Sequence, residues 1–323
     1  MRTATGLALA SIFWWAACGT SREPDRISLT TPEGEVTIRV NDRPVLSYAT
    51  ATQLPAGEEE HYARSGFIHP VYTPAGRMVT DDFPLGHTHQ HGIFTAWTGT
   101  TFRGEAVDFW NQHKETGTVR HAELLETYDS AGVAGFRTRL EQVSLRDGPV
   151  LSEDWRVRVY DHGDPYVWDL RSAQTNVTND TLYLEKYTYG GLGVRGSAAW
   201  YASDSVAFTG EARFLTSEGL DREAANHTRP DWVAIYGPLS ARDGGGTGGL
   251  AVFPHPDNFR APQFVRVHPD MPYLSVSPVV DEGFALPPGQ TYVARYRFVV
   301  FDGEPDPEVL STFSWHTFAA HEP

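Results

Sequence analysis

Apolar and polar side chains alternate along much of this chain with the two-residue period of a half-buried β-strand. The first clear case is Glu35–Val40, where every second residue is apolar. Successive side chains on a strand point to opposite faces, so this pattern places one set on a core and the other in solvent. The same alternation predicts strands at Phe136–Leu145, Asp154–Tyr160 and Tyr166–Arg171.

Shorter apolar runs continue the pattern towards the C-terminus. They predict strands at Leu182–Tyr187, Val206–Thr209, Val233–Tyr236, Gly249–Phe253 and Tyr292–Phe301. Consecutive strands joined by turns, with no helices between them, are typical of antiparallel sheets. We therefore predict an all-β fold, a large antiparallel β-sandwich that ends in a short helix after Asp306. Because no Pro- or Ser-rich linker divides residues 35–323, we predict that they form a single domain.

The composition indicates a globular protein with an acidic surface. Of its 323 residues 40% are hydrophobic, and Asp and Glu outnumber Lys and Arg by 41 to 26, for a formal net charge of −15. Length and hydrophobic content suffice for a large core. The negative charge argues against nucleic acid as a partner, because phosphate contacts require Lys and Arg. A small-molecule or oligosaccharide substrate is compatible with it.

The N-terminus has the layout of a bacterial export signal. An early arginine precedes an apolar stretch that is too short to span a bilayer, and small residues stand directly before Cys18. We predict a signal peptide over residues 1–17, Cys18 as an acylated mature N-terminus, and a lipid-anchored tether over residues 18–34. Cleavage after Ala17 without acylation and a structural role for Cys18 are the alternatives. The predicted location is the cell envelope, with the lipid anchor as the membrane contact.

Four of the thirteen histidines fall within residues 67–97. Three of them, His87, His89 and His91, alternate with other residues between two glycines. On an extended strand they would share a face, with neighbours about 6.6 Å apart and the outer two about 13 Å apart. Neighbouring pairs could then bind one ion, whereas all three could converge only if the chain bulges or turns at the flanking glycines.

We interpret this histidine run as the centre of a ligand-binding or catalytic cleft. A divalent metal held by His89 and His91 is one version of such a site, and a row of structural histidines that bond to the backbone is the alternative. Asp81 and Asp82 stand close to the run in sequence. A histidine and a carboxylate together are suited to exchange protons with a substrate.

A second candidate segment, Asp108–His113, combines a carboxylate, an aromatic pair, two amides and a histidine. Aromatic faces beside Asp and Asn suit a sugar, whose apolar face stacks while its hydroxyls need donors and acceptors. Trp110 and Asn111 are therefore candidates for substrate binding, although core packing is the alternative for Trp110. Asp108 and Glu185 join the three histidines as candidate catalytic residues, and a surface ion pair is the alternative for Glu185.

Several motifs recur in a fixed order along the chain. They are Phe67–Gly76, Asp81–Pro84, His87–Phe94, Asp108–Asn111, Tyr189–Arg195, His255–Asn258 and Leu286–Gly289. This series resembles the bacterial family catalogued as methane oxygenase PmoA, an exported family, over about residues 40–305.

The resemblance implies a supersandwich similar to that of galactose mutarotases, and a role in carbohydrate metabolism. The residues of these motifs that we expect to contact a substrate are His69, Tyr72, Asp82, Trp110, Asn111, Arg195 and His255.

Three functions stay open at this point. The first is an exported, lipid-anchored protein that acts on a carbohydrate in a histidine-rich cleft, as a lyase, epimerase or hydrolase, by acid–base or metal-assisted chemistry. The second is a non-catalytic surface lipoprotein that binds glycans. The third is a metal-dependent oxygenase or hydrolase that uses a histidine pair and a carboxylate.

Overall fold

The computed structural model describes residues 27–130 and 132–318. The predicted signal peptide and Cys18 lie outside the described residues, so export and acylation stay predictions. In the part of the chain that is described, no helix is long and apolar enough to cross a membrane.

Strands make up most of the described chain. They are β1 (Ile27–Thr30), β2 (Glu35–Val40), β3 (Arg43–Ala49), β4 (Ile68–Val71), β5 (Ile93–Ala96), β6 (Thr100–Phe102), β7 (Glu105–Val107), β8 (Gly117–Ser130), β9 (Val133–Ser144), β10 (Gly148–Tyr160), β11 (Tyr166–Asn176), β12 (Leu182–Leu184), β13 (Gly191–Arg195), β14 (Arg213–Thr216), β15 (Val233–Pro238), β16 (Thr247–Pro254), β17 (Phe264–Val267), β18 (Tyr273–Ser277), β19 (Phe284–Leu286) and β20 (Thr291–Asp302). The helices are α1 (Arg222–Ala225) and α2 (Pro307–Ser311), with 3-10 turns at Glu60–Tyr62, Gln112–Lys114, Ala198–Trp200 and Ala241–Asp243.

Two eight-stranded antiparallel sheets contain most of these strands. The first sheet has the order β1-β2-β3-β4-β5-β13-β18-β17, and the second has the order β14-β15-β16-β20-β11-β10-β9-β8. A small third sheet has the order β19-β12-β6-β7. The expected all-β, antiparallel fold with a short C-terminal helix is confirmed.

Side-chain alternation explains how the two large sheets pack. Trp155 of β10, Leu170 of β11 and Phe298 of β20 are fully buried and belong to the same hydrophobic cluster as residues of the first sheet. The residues that alternate with these along each strand point to the outer face of the second sheet. Part of that outer face is covered by the C-terminal segment, where Leu310 and Phe313 join a second apolar cluster.

The helix prediction at the C-terminus is confirmed in detail. The Asp306 side chain accepts hydrogen bonds from the backbone N–H groups of Glu308 and Val309, and Pro307 occupies the first turn. These bonds satisfy donors that a helix N-terminus otherwise leaves free.

The strand predicted at Val206–Thr209 is wrong. This segment forms turns, and Val206 is 95% exposed. The Asp204 carboxylate accepts hydrogen bonds from the N–H groups of Val206 and Ala207, which holds the backbone in a local turn. A short apolar run therefore does not make a strand where no sheet covers it.

Two other boundaries differ from expectation. The predicted strand Leu182–Tyr187 ends at Leu184, after which Glu185 and Lys186 are exposed. At the N-terminus, β1 lies inside the stretch expected to be a tether, because Ile27 and Leu29 pack against the main hydrophobic cluster.

Candidate functional site

The histidine run lies on the outer face of the first sheet. The inner face is defined by Thr95, whose hydroxyl donates to Glu153 of the second sheet. Its neighbour Phe94 points the other way and packs against Trp110 and His91. The run belongs to the connection between β4 and β5. The first sheet therefore separates the run from the second sheet.

The run itself is turned, not extended. The N–H of His87 donates to the carbonyl of Pro84, and the N–H of Gln90 donates to the carbonyl of His87. Gly86 has a φ of +72°, which glycine adopts without strain. The expectation of three side chains on one strand face is therefore wrong, and the turns send His91 into the interior while His87 and His89 stay partly exposed.

Gly92 lets the run pass directly over β4. A Cβ atom at this position would lie 2.4 Å from the carbonyl oxygen of Ile68 and 3.0 Å from the Cβ of His69. We expect Gly92→Ala to lower the free energy of unfolding by about 1–3 kcal/mol, because backbone would have to move. Urea unfolding measures this. In Gly86→Ala the new Cβ meets nothing within 4 Å, so this variant should lose only the cost of its positive φ, about 1–2 kcal/mol. A larger loss in Gly86→Ala than in Gly92→Ala would contradict the close-approach argument.

His91 forms a buried pair with Asp82. Its side chain is 0% exposed, and its Nδ1 lies 2.6 Å from Oδ1 of Asp82. Phe67 stacks on the imidazole at 4.7 Å between ring centroids, and Phe83 meets it edge-on at the same distance. The aromatic walls hold the ring in one orientation, so its Nδ1 stays directed at the carboxyl group.

Burial gives Asp82 a pKa suited to proton transfer at neutral pH. It raises the pKa of Asp82 to about 7, against the opposing charge effects of His69 and Arg64. Burial also lowers the pKa of His91 well below its ordinary value. Below about pH 7 the Asp82 hydroxyl therefore donates to Nδ1 of a neutral His91, and above it Nδ1–H donates to the carboxylate.

Asp81 forms a second acidic group next to Asp82. Burial raises its pKa to about 6, although the guanidinium of Arg195 acts in the opposite direction. Nε of Arg195 lies 3.7 Å from Oδ2 of Asp81. Arg195 is fully buried, donates to Gln90 at 3.0 Å, and lies over the ring of Tyr201 at 4.8 Å. Two adjacent carboxyl groups thus have pKa values near 6 and 7 at the edge of one site.

Three imidazole rings extend this edge. The rings of His87 and His89 are 6.0 Å apart between centroids, and His113 meets His89 edge-on at 5.4 Å. Burial, and then the neighbouring histidines, lower the pKa of His89 to about 3. His89 is therefore neutral at physiological pH and can both donate and accept hydrogen bonds.

Asp108 is saturated by its own loop. Its two oxygens accept hydrogen bonds from the side chains of Thr98, Asn111 and Lys114, and from the N–H groups of Trp110 and Asn111. Burial alone would raise the pKa of Asp108, but these bonds outweigh it and lower the pKa. The arrangement suits a residue that positions the loop, and a direct catalytic role for Asp108 stays a prediction.

Trp110 and Asn111 lie where the loop meets the outer face of the sheet. Trp110 is 1% exposed and packs on Phe94 and Tyr189. Oδ1 of Asn111 accepts a hydrogen bond from the hydroxyl of Tyr189, a partly exposed residue, at 3.3 Å. The aromatic surface open to a ligand therefore belongs more to Tyr189 than to Trp110.

The other predicted residues lie at different distances from this site. His69 is close to Asp82 and bonds through Nδ1 to the hydroxyl of Thr80 at 2.9 Å. Tyr72 interacts with Glu35 and Arg39 instead. Among the described residues, no side-chain bond joins the exposed Glu185 to the histidines. His255 packs on Trp315 at the outer face of the second sheet, so the structure does not bring it to this site.

The geometry does not support the metal version of the site. Within residues 27–130 and 132–318, no group of three or more His, Cys, Asp or Glu side chains is arranged to hold a metal ion. Nδ1 of His91 is bonded to Asp82, while His89 faces His87 and His113. His89 and His91 therefore have different surroundings, and their binding of one metal ion stays a prediction.

Several residues of the site were not singled out from the sequence. Tyr189 and Tyr201 flank it, and Arg64 and Gln112 lie next to the buried pair. Gln112 and Tyr189 belong to the predicted segments Asp108–His113 and Tyr189–Arg195 but had no role assigned to them, whereas Arg64 and Tyr201 lie in no predicted motif. Only pairing of distant strands brings them together.

The chain belongs to DUF6807, a family of unknown function, whose profile matches residues 35–313. This match overturns the resemblance to the methane oxygenase PmoA family. No curated protein matches the sequence.

Solved structures with a similar arrangement share very little sequence with this chain. A galactose mutarotase related enzyme from Lactobacillus acidophilus has a TM-score of 0.40 and 9% identity, over 86% of this chain and 98% of that one. Heparan sulfate lyase HepC from Pedobacter heparinus has a TM-score of 0.37 and 9% identity, over 84% of this chain and 34% of the lyase. The GH36 α-galactosidase AgaA from Geobacillus stearothermophilus has a TM-score of 0.32 and 10% identity, over 86% and 41%. This chain thus spans about a third of the length of the lyase.

Proposed function

We propose that this protein acts on a carbohydrate by acid–base chemistry at Asp81 and Asp82. The observation that carries the proposal is the pair itself, two neighbouring carboxyl groups whose pKa values are raised to about 6 and about 7. Between these values one group is largely ionised while the other still holds its proton. A base and an acid are then available at once, which is the condition for concerted proton transfer.

In this proposal Asp81 accepts a proton from a sugar hydroxyl and Asp82 donates one to a ring or leaving oxygen. This exchange serves epimerisation at the anomeric carbon. In an elimination Asp81 would instead take a proton from a carbon next to a carboxylate, and in a hydrolysis it would take one from the attacking water, while Asp82 protonates the leaving oxygen in both. His91 holds the carboxyl group of Asp82 in place through their 2.6 Å contact, and exchange with solvent returns a proton to Asp82 and removes one from Asp81 after each turnover. His91 is a positioning residue, because its fully buried side chain does not reach a ligand.

The surroundings of the pair support a hydroxyl-rich ligand. Neutral His87 and His89 can each donate or accept a hydrogen bond at the partly exposed edge. Tyr189 and Tyr201 offer partly exposed rings against which the apolar face of a sugar can pack. A saccharide needs both kinds of contact in one place.

A pH profile on the purified protein tests the proposal. Interconversion of reducing sugars is followed by NMR, and cleavage of oligosaccharides by product analysis. For an active sugar we expect kcat/KM to follow a bell-shaped curve, with its maximum between about pH 6 and 7, set by Asp81 and Asp82. A pH-independent rate, or an unchanged curve in Asp81→Asn, would overturn the assignment. Binding without turnover of any sugar would favour the non-catalytic glycan-binding protein.

A further inference from the structure

Five arginines line one groove on the outer face of the second sheet. They are Arg156, Arg158, Arg171, Arg295 and Arg297, and the groove has a volume of about 600 Å³. Only two acidic side chains, both aspartates, lie among its lining residues. This local positive charge stands out on a chain whose formal net charge is −15.

Strand register places three of these arginines in a row. Arg156 of β10 is directly opposite Arg171 of β11, and Arg171 is directly opposite Arg295 of β20. Neighbouring strands are about 4.8 Å apart, so the row carries three positive charges over about 10 Å. Like charges directly opposite each other destabilise a sheet. The row therefore costs stability when no anion is bound.

The acidic residues in the groove do not neutralise this row. Asp169 receives two hydrogen bonds from Arg297, at 2.8 and 3.0 Å, and a third from the hydroxyl of Tyr160. Asp257 is 80% exposed, and its ion-pair contact is with His255. Among the side chains that the structure describes, none forms a salt bridge with Arg156, Arg171 or Arg295.

The row is also partly removed from water, which strengthens its pull on an anion. Arg156, Arg171 and Arg295 are all of intermediate exposure. Burial and then the charge of Arg295 lower the pKa of Arg171, although the carboxylate of Asp154, which pairs with Arg137, acts in the opposite direction. Charges in such surroundings are screened less by salt than fully exposed ones. An anion that pairs with the row would relieve both the repulsion and the loss of hydration.

We infer that this groove binds a segment of an acidic oligosaccharide through its carboxylate or sulfate groups. Guanidinium groups match the planar geometry of carboxylates and bind oxyanions with paired hydrogen bonds. The volume is that of a site for a ligand of a few rings, and a row of charges suits successive acidic units of one chain. The saccharide class rests on the proposed function, whereas the preference for an anion does not.

The groove is a separate site from the proposed catalytic one. It lies on the outer face of the second sheet, while Asp81 and Asp82 lie beyond the first sheet. A glycan held in the groove therefore does not compete for the acid–base pair. The acidic chain as a whole repels nucleic acid, so the groove favours a short, locally charged glycan over a long polyphosphate.

Calorimetric titration of the full-length protein with a tetramer of galacturonic acid tests the inference. We expect saturable binding at low salt that weakens at least tenfold in 0.3 M NaCl, and no binding of the fully methyl-esterified tetramer, which has the same sugars without the charges. Arg171→Gln should weaken binding of the tetramer at least tenfold. The same variant should keep or raise the melting temperature, because it removes a like-charge contact.

Arg120→Gln is the matched control. Arg120 is an exposed residue of β8 in the same sheet and pairs with Glu141 outside the groove. Arg120→Gln removes the same net charge as Arg171→Gln and should change the affinity for the tetramer by less than twofold. Equal weakening in both variants would reduce the effect to overall charge and overturn the inference. Tighter binding of a single-stranded oligonucleotide than of the galacturonate tetramer would also overturn it, in favour of a nucleic acid site.

The two proposals fail separately. Asp82→Asn should lose turnover and keep its affinity for the tetramer, because the groove does not contain Asp82. If no sugar is turned over but Arg171→Gln still abolishes tetramer binding, the groove proposal is supported and the acid–base proposal is overturned. Equal binding of the charged and esterified tetramers would overturn the groove proposal and would not affect the acid–base proposal.

Discussion

Asp82→Asn is expected to lower kcat for the active sugar by about 10²–10⁴-fold, the usual contribution of a positioned acid or base. Asparagine keeps the size of the side chain, and its oxygen can still accept a hydrogen bond from Nδ1 of His91. It cannot release or take up a proton. The loss should therefore be in kcat at every pH, while KM changes little. Steady-state kinetics over the pH range of the wild type measures it.

The same substitution has a consequence for stability that needs no substrate. Burial raises the pKa of Asp82 from 3.8 to about 7 in the folded protein. The folded state therefore binds more protons than the unfolded chain between these values, and wild-type stability from this group falls as pH rises from about 4 to 7. Asparagine does not titrate. We expect Asp82→Asn to gain stability relative to wild type over this range, by at most about 4 kcal/mol.

One control variant separates these effects from general damage. Asp281→Asn changes a carboxylate that is 66% exposed and pairs with Arg229 outside both proposed sites, and it should leave kcat unchanged. Urea unfolding at pH 5 and pH 8 gives the stability difference for each variant. If Asp82→Asn is active at the wild-type rate, Asp82 is not the acid, and the pair with His91 is only a structural one.

Replacing Glu153 by Leu is expected to lower the free energy of unfolding by about 3–5 kcal/mol, because it removes the acceptor at the centre of a buried hydrogen-bond network. The Glu153 side chain is fully buried between the two sheets. Its oxygens accept hydrogen bonds from the side chains of Thr95, Gln142, Trp155, Ser172 and Gln174. Leucine would leave these donors without a partner, and each buried unpaired donor costs about 1–3 kcal/mol.

Glu141→Gln provides the comparison for this prediction. Glu141 pairs with Arg120 at the surface, where an ion pair contributes at most about 1 kcal/mol. Urea unfolding monitored by tryptophan fluorescence and by circular dichroism measures both variants. A change below about 1 kcal/mol in Glu153→Leu would show that the surrounding donors find other partners, and that Glu153 does not join the sheets.

Local patterns in the sequence predicted a large part of the strand content. Glu35–Val40 forms a strand with the predicted ends, and the strands expected around Trp155, Leu170 and Phe298 are present although longer. The pattern failed for β8. Its outward residues, and most of its inward residues, are exposed or half-buried. An edge strand buries little, so hydrophobic alternation does not mark it.

Local patterns located the candidate chemistry along the chain, whereas contacts between distant segments set the role of each residue. The histidine run was visible because three histidines alternate with other residues. Hydrogen-bonded turns nevertheless separate His91 from the other two. Residue spacing alone does not predict turns that backbone hydrogen bonds close. The raised pKa of Asp82 depends on burial beside His91, whose ring Phe67 and Phe83 enclose. The row of arginines arises because β10, β11 and β20 pair in one register, although β11 and β20 are more than a hundred residues apart in sequence. Burial and register are properties of distant segments in contact, and these contacts form only in the folded protein.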